Sequence, residues 1–225
     1  AGGVFAIDKP LEITSAGVVE QVKKALRRVL RPIAKVGHGG TLDPLATGVL
    51  VIGIGAGTRM LKNFLNGRKV YEAEVTLGVA TDSQDAAGSV IARAPYDAVT
   101  REAIEAQLPR FRGAFQQVPP MHSALKVNGR RLYKLAHKGL EIEREPREVT
   151  VYSLELERFE PPSVAFRVSC GSGLYVRTLG SDLACAVGTV GHVTALRRVS
   201  AGQFSIPDCL SLEEASDPER IAASL

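Results

Sequence analysis

The most unusual stretch of the chain is Gly37-His38-Gly39-Gly40-Thr41-Leu42-Asp43-Pro44-Leu45-Ala46-Thr47-Gly48. Its four glycines let the backbone adopt positive φ angles and let a ligand approach the main chain closely. Asp43 precedes a proline, which favours an extended or turn geometry at the aspartate. An aspartate in a tight glycine turn is more often structural than catalytic, so this stretch alone leaves the role of Asp43 open.

Apolar periodicities on both sides of this stretch predict a mixture of strands and helices. Strands are predicted at Val4–Ile7, Val49–Ile54, Tyr71–Leu77, Ser123–Val127, Val149–Phe159, Val164–Cys170 and His192–Val199. A first helix is predicted after an N-terminal cap at Thr14 or Ser15, with an apolar stripe that ends at Val29. Further helices are predicted over Thr58–Leu65, after Thr100, over Arg130–His137 and from Tyr175 to Val187. We therefore expect one α+β domain whose central mixed sheet is largely antiparallel and is flanked by helices.

The composition is typical of a globular protein, with 45% hydrophobic and 23% charged residues. The longest apolar stretch, Gly48–Gly57, is shorter than the about 20 residues that cross a bilayer. Ala1–Pro10 lacks the basic start and long apolar middle of a signal peptide. Three cysteines and four histidines show no spacing typical of a disulfide framework or a metal site. We expect a soluble intracellular protein without a bound metal, and its compartment stays open.

The positive charge is unevenly placed along the chain, whose net charge is +4. Lys23–Lys35 holds six basic residues and no acidic one, and Arg110–Arg147 holds nine basic residues against three acidic ones. A solvated helix face explains one such run as well as a ligand does. Two separate runs make a polyanion such as nucleic acid an equal alternative.

Two further glycine-containing segments invite a functional interpretation. Gly53-Ile54-Gly55-Ala56-Gly57 is GxGxG, not the GxGxxG of dinucleotide-binding proteins, and a strand-to-helix turn explains it better. Cys170–Thr178 predicts the start of a helix that carries Tyr175 and Arg177. An arginine at a helix start opposes the helix dipole, so it needs a nearby carboxylate or phosphate, and a surface salt bridge would serve equally well.

The stretch from Gly37 to Gly48 resembles the catalytic motif of the TruB family of tRNA pseudouridine synthases. Further matches to this family follow in the same order along about residues 3–205: Lys9-Pro10, Thr14-Ser15, Lys69-Val70-Tyr71, Thr81-Asp82, Asp85, Gly88, Val118-Pro119-Pro120, Ser123-Ala124-Leu125-Lys126, Gly173–Thr178 and Leu196-Arg197-Arg198. Gly48–Gly55 and Cys170–Gly173 resemble the eukaryotic branch of the family more than the bacterial branch.

The resemblance implies a pseudouridine-synthase fold and the isomerisation of uridine to pseudouridine at position 55 in the T loop of tRNA. No cofactor is implied, because nothing is oxidised and the base is its own leaving and returning group. The implied partner is the T arm of tRNA, with T-loop-like mRNA sites as further substrates, no membrane and a monomeric enzyme. Residues 1–210 would be the catalytic domain, and 211–225 a short acidic C-terminal tail without a separate RNA-binding module.

The resemblance also implies a role for each residue of a candidate site. The residues matched by position are Asp43 as the catalytic carboxylate, Arg177 as its arginine partner, Tyr71 against the flipped base, His38 on the opened loop, and Tyr175 and Leu196 lining the uridine pocket. These roles fit the chemistry, since a ribose carbon that loses uracil becomes cationic and is stabilised by an ionised carboxylate.

Two other function classes compete with this hypothesis. A nucleotide-dependent oxidoreductase would use Gly53–Gly57, but that motif is imperfect. An RNA-binding tRNA chaperone would keep the fold with weak or no catalysis. The complete set of Asp43, Tyr71 and Arg177 argues against lost catalysis.

Overall fold

The computed structural model describes residues 2–29, 35–123, 125–127, 130–132, 136, 140 and 142–225. Its strands are β1 Val4–Lys9, β2 Val36–His38, β3 Ala46–Ile54, β4 Lys69–Leu77, β5 Val79–Thr81, β6 Val90–Arg93, β7 Gly113–Gln117, β8 Lys126–Val127, β9 Arg130–Arg131, β10 Arg147–Glu160, β11 Ser163–Cys170, β12 Gly191–Ala201, β13 Phe204–Ser205 and β14 Cys209–Ser211. Its described helices are α1 Ser15–Leu26, α2 Leu61–Asn66, α3 Arg101–Gln107, α4 Val176–Ala186 and α5 Pro218–Ala223. None of these helices is long and apolar enough to span a membrane.

The chain divides into two compact units, residues 1–72 with 196–225 and residues 73–195. In the first unit the strand order is β14-β1-β3-β12, with β2 on β3 and β13 on β12. Strand β1 runs antiparallel to β3 and parallel to β14, and β12 runs parallel to β3. This sheet is mixed, as the sequence predicts.

In the second unit the strand order is β12-β4-β11-β10-β7. Strand β10 is antiparallel to both β11 and β7, which confirms the antiparallel pair predicted on either side of Pro161-Pro162. Two-stranded antiparallel pairs are formed by β5 with β6 and by β8 with β9. Most pairings are therefore antiparallel, and the α+β prediction is confirmed.

Helix α1 shows how local sequence sets the elements around the site. The hydroxyl of Thr14 accepts a hydrogen bond from the Gly17 N–H at 2.9 Å and caps the helix. Val18 and Val22 are fully buried, as their spacing predicts. The helix ends at Leu26, however, and Val29 is 63% exposed. The prediction that the stripe extends to Val29 is wrong because the chain leaves the helix through tighter turns after Leu26.

Helix α4 lies close to the strands of the second unit because it contains a glycine at the contact. A Cβ atom at Gly180 would lie 2.7 Å from Cγ2 of Val75 and 3.0 Å from Cγ2 of Val193. Only a residue without a side chain permits this approach. The glycine thereby fixes the depth of the helix that carries Arg177.

Residues 211–225, expected to be a short acidic tail, contain a 3₁₀ turn at Glu214–Ser216 and helix α5. Ala215 and Ile221 are each only 1% exposed, so this segment packs into the first unit. The predicted turn at Asn128–Gly129, parts of the predicted helix over 130–137 and parts of both basic runs lie outside the described residues.

Candidate active site

The loop that carries Asp43 is held on both sides of the aspartate. On one side the Ser15 hydroxyl accepts from the Leu42 N–H at 2.8 Å and donates to the Leu42 carbonyl at 2.9 Å. On the other side the Pro44 carbonyl accepts from the Glu12 N–H at 2.9 Å. Asp43 itself is half-buried. The backbone on both sides of this half-buried residue is therefore held by hydrogen bonds to its two neighbours.

Lys9 lies beneath this loop and is fully buried. Its ammonium donates to the carbonyl oxygens of Pro10 at 2.8 Å and Ile13 at 2.7 Å, and reaches that of Pro44 at 3.4 Å. Burial lowers the pKa of Lys9 to about 8, although the nearby Asp43 carboxylate acts in the opposite direction. Near neutral pH the lysine is a cation beside the candidate catalytic carboxylate.

Arg198 is a further buried cation of the first unit, with 1% of its surface exposed. Its Nε donates to the Val49 carbonyl at 2.7 Å and its Nη2 to the Gly40 carbonyl at 3.0 Å. Its Nη1 lies 3.5 Å from the Tyr71 hydroxyl, and the guanidinium carbon lies 6.0 Å from the centre of the Tyr71 ring. One side chain thus contacts the glycine loop, strand β3 and a predicted pocket residue.

The structure places Tyr71, His38 and Leu196 in the same unit as Asp43. Tyr71 on β4 is 7% exposed and Leu196 on β12 is 9% exposed. Leu196 pairs with Ala46, just past the Asp43 loop. Burial, and then the charge of Arg198, lower the pKa of His38, so its imidazole is neutral at pH 7.

Tyr175 and Arg177 belong to the second unit, at the start of α4. Arg177 is 3% exposed, and its Nη1 donates to the Ser83 carbonyl at 2.6 Å. Its Nη2 donates to the His122 carbonyl at 2.7 Å, and its Nε lies 3.7 Å from Oδ2 of Asp85. The charge is therefore met by a buried carboxylate, which excludes the surface salt bridge left open by the sequence. The predicted pairing of Arg177 with Asp43 stays a prediction.

Comparison with known proteins identifies the family. A family model described as TruB family pseudouridylate synthase (N terminal domain) matches residues 27–176. A second model, described as tRNA pseudouridylate synthase B C-terminal domain, matches residues 177–222. This chain belongs to the TruB family.

Similar TruB-family proteins occur in bacteria and in human. The tRNA pseudouridine synthase B of Dechloromonas aromatica is 44% identical over 212 residues, which cover 94% of this chain and 69% of that protein. The pseudouridylate synthase TRUB1 of Homo sapiens is 42% identical over 235 residues, which cover 99% of this chain and 67% of that protein. Because these identities nearly coincide, the eukaryotic-like branch stays a prediction.

Two solved structures contain a chain that is similar in fold to this one. A chain of the Cbf5-Nop10-Gar1 complex matches with a TM-score of 0.71 and 31% identity over 94% of this chain. A chain of an H/ACA RNP bound to a substrate RNA containing 2′-deoxyuridine matches with a TM-score of 0.67 and 28% identity over 94% of this chain. The present chain spans 53% and 51% of those two chains, about half their length.

The glycine cluster that suggested a nucleotide has a structural explanation in this TruB-family chain. Strand β3 ends at Ile54, and a 3₁₀ turn follows at Gly55–Arg59. A Cβ atom at Gly57 would lie 2.0 Å from the Gly3 carbonyl oxygen, so close backbone packing requires this glycine. The predicted strand-to-helix turn is confirmed. Within the described part of the chain, no three His, Cys, Asp or Glu residues lie close enough to bind a metal.

Sequence reasoning gave no role to three residues that form these sites: Lys9, Asp85 and Arg198. A signal was present for Arg198, since it follows Leu196 by two residues on β12. The two side chains therefore lie on the same, buried face of that strand. Arg197, on the opposite face, is partly exposed and pairs with Asp8 at 2.8 Å. A charged residue on a buried face was the observation that would have found Arg198.

Proposed function

We propose that this protein isomerises uridine to pseudouridine in the T loop of tRNA, at position 55, with Asp43 as the catalytic carboxylate. The observation that carries the proposal is the Asp43 loop, in which Ser15 bonds Leu42, Glu12 bonds Pro44, and the aspartate between them is half-buried. Membership of the TruB family supports it across most of the chain.

The reaction needs an anion at the sugar and no oxidant. The bond between N1 of uracil and C1′ of ribose breaks, and the anomeric carbon becomes cationic. Asp43 attacks or stabilises that carbon, as a carboxylate does in glycosidases. The released uracil turns, its C5 bonds to C1′, C5 loses its proton and N1 gains one. Lys9 provides a buried positive charge next to the loop that carries Asp43.

Substrate recognition is divided among the other predicted residues. The target base must leave its stack to reach Asp43, and the neutral imidazole of His38 contacts the opened loop. The ring of Tyr71 packs on the flipped uracil, while Tyr175 and Leu196 line the pocket. Arg177, whose Nε lies 3.7 Å from Oδ2 of Asp85, keeps its predicted role as the arginine partner in catalysis. Basic residues of Lys23–Lys35 and Arg110–Arg147 contact the phosphates of the T arm.

We extend the proposal to T-loop-like sites in mRNA and to a monomer that needs no cofactor. An RNA of the T arm alone and an mRNA hairpin of the same loop sequence should both be modified. Sedimentation of the enzyme with one equivalent of T-arm RNA should give a 1:1 complex. A dimer carrying two RNAs would contradict the monomer.

The deciding experiment follows tritium release from a T-arm RNA labelled at C5 of uridine, because C5 loses its hydrogen in this reaction. Asp43→Asn should lower the single-turnover rate at least about 10²–10³-fold, since an amide cannot supply the anion. RNA affinity should be retained. Asp97→Asn, at an exposed aspartate, is the matched control and should leave the rate unchanged.

Mass spectrometry must exclude deamidation of the introduced asparagine. Appreciable turnover by intact Asp43→Asn would contradict the role of Asp43. Wild-type protein that binds the RNA and anneals it without tritium release would instead support the RNA-chaperone alternative.

A further inference from the structure

The side chain of Gln117, the last residue of β7, binds the backbone of Tyr175 at both of its polar ends. Its Oε1 accepts from the Tyr175 N–H at 2.9 Å, and its Nε2 donates to the Tyr175 carbonyl at 3.2 Å. Gln117 is only 2% exposed. The carboxamide therefore bonds both the N–H and the carbonyl of Tyr175, as the backbone of a neighbouring strand would.

Tyr175 lies at the junction between β11 and α4. Its backbone is extended, with φ −98° and ψ 107°, and its side chain makes no capping hydrogen bond to the helix. Its carbonyl accepts the first helical hydrogen bond, from the Leu179 N–H at 3.0 Å, as well as the bond from Gln117. Gln117 thus fixes the residue from which the helix begins.

The segment that follows Gln117 makes a second contact with the start of α4. The carbonyl of His122 accepts from Nη2 of Arg177 at 2.7 Å. Residues 117–122 therefore hold Tyr175 by a side chain and Arg177 by a carbonyl. Tyr175 and Arg177 are two of the predicted site residues, and both depend on this one segment.

We propose that Gln117 is a positioning residue for the isomerisation, which sets Tyr175 and the start of α4 through its carboxamide. The inference rests on the proposed function and deepens it. In this role Gln117 acts on the substrate only through the backbone of Tyr175. The role explains why a buried position carries a polar side chain, whose burial costs free energy unless both its donor and its acceptor are paired.

The carboxamide is the group that fits both bonds. An ionised carboxylate offers no donor to the Tyr175 carbonyl and repels it, whereas a protonated carboxyl group again provides one donor and one acceptor. An apolar side chain leaves both backbone groups of Tyr175 without this partner. Gln117→Glu therefore makes the arrangement depend on pH, and Gln117→Leu removes it at every pH.

The test measures the single-turnover rate on labelled T-arm RNA between about pH 5.5 and 8.5, together with RNA affinity and thermal unfolding. At pH 8 both Gln117 variants should lose roughly tenfold or more in rate while RNA affinity changes by less than about threefold. Lowering the pH should restore the rate of Gln117→Glu relative to wild type, and not that of Gln117→Leu. Gln116→Glu and Gln116→Leu, at the exposed neighbour, are matched controls and should follow the wild type.

A Gln117→Glu rate whose pH profile parallels the wild type, measured on folded enzyme, would overturn the positioning role and leave Gln117 with a purely structural one. If Gln117→Leu does not fold, the pH profile of Gln117→Glu still decides. Inactive wild-type protein would overturn the proposed function and this inference with it. Active wild type with wild-type rates in both Gln117 variants would overturn the inference alone.

Discussion

The guanidinium of Arg198 donates from Nη2 to the carbonyl oxygen of Gly40 at 3.0 Å. The same side chain donates from Nε to the carbonyl of Val49 at 2.7 Å. Asp43 lies between these two residues in the sequence, so one buried side chain ties both ends of the segment that presents the candidate catalytic carboxylate. A planar fork with fixed donor directions suits this task, and a lysine ammonium does not.

Arg198→Lys should lower the single-turnover rate by about tenfold or more, because the ammonium keeps the charge and bonds only one of the two carbonyls. The melting temperature should also fall. The matched control is Arg197→Lys, one residue away on the partly exposed face of β12, where the change should be less than about threefold. Equal effects of the two substitutions would show that the loop does not depend on the buried fork.

Tyr71→Phe and Tyr71→Ala separate the hydroxyl from the ring. The hydroxyl lies 3.5 Å from Nη1 of Arg198, so Tyr71→Phe should lower turnover with little change in RNA affinity. Tyr71→Ala should in addition weaken capture of the flipped base by about 1–3 kcal/mol, measured with a T-arm RNA that cannot react. Tyr152→Phe, at a tyrosine that is 55% exposed, is the control. Identical rates for wild type and Tyr71→Phe would remove the hydroxyl from the mechanism.

Arg177→Lys tests the cation of the second unit. The arginine uses separate nitrogens for the carbonyls of Ser83 and His122 and for the Asp85 carboxylate. A lysine retains the charge but has a single nitrogen, which cannot bond all three of these partners in the same way. The rate should therefore fall at least about tenfold while RNA affinity stays nearly normal. Arg167→Lys, at an exposed arginine on β11, should have no effect. A fall in RNA affinity equal to the fall in rate would assign Arg177 to RNA binding instead.

The sequence predicts those features that repeat along one element. The alternation in β4 places Tyr71 on a buried face, and the stripe Val18 and Val22 with a Thr14 cap predicts α1. The Asp43 loop is recognisable because its glycines and proline restrict or free the backbone locally. These signals lie within a few consecutive residues.

The sequence does not predict contacts made to backbone carbonyls by distant side chains. Arg198 binds Gly40 and Val49, and Gln117 binds Tyr175, yet a carbonyl oxygen is present at every position and leaves no residue-specific trace. The sequence also does not predict the division into two units. Strands β4 and β12 contribute to both units, and their patterns run through without a change in composition.

The buried Lys9 should make the stability of the fold depend on pH. Burial lowers the pKa of Lys9 from its ordinary 10.5 to about 8 in the folded protein. Between these pH values the unfolded chain keeps a proton that the folded chain has lost, so the free energy of unfolding rises with pH. This one group contributes a slope of up to about 1.4 kcal/mol per pH unit. Relative to Lys9→Met, which cannot titrate, wild-type protein should therefore gain stability from about pH 8 to 10.5 in urea unfolding.

Lys24→Met, at an exposed lysine, should show no such pH-dependent difference. A constant difference between wild type and Lys9→Met would contradict the lowered pKa. Because the Asp43 carboxylate raises the pKa of Lys9, Asp43→Asn should move the rise in stability to lower pH, which ties this measurement to the proximity of the two groups.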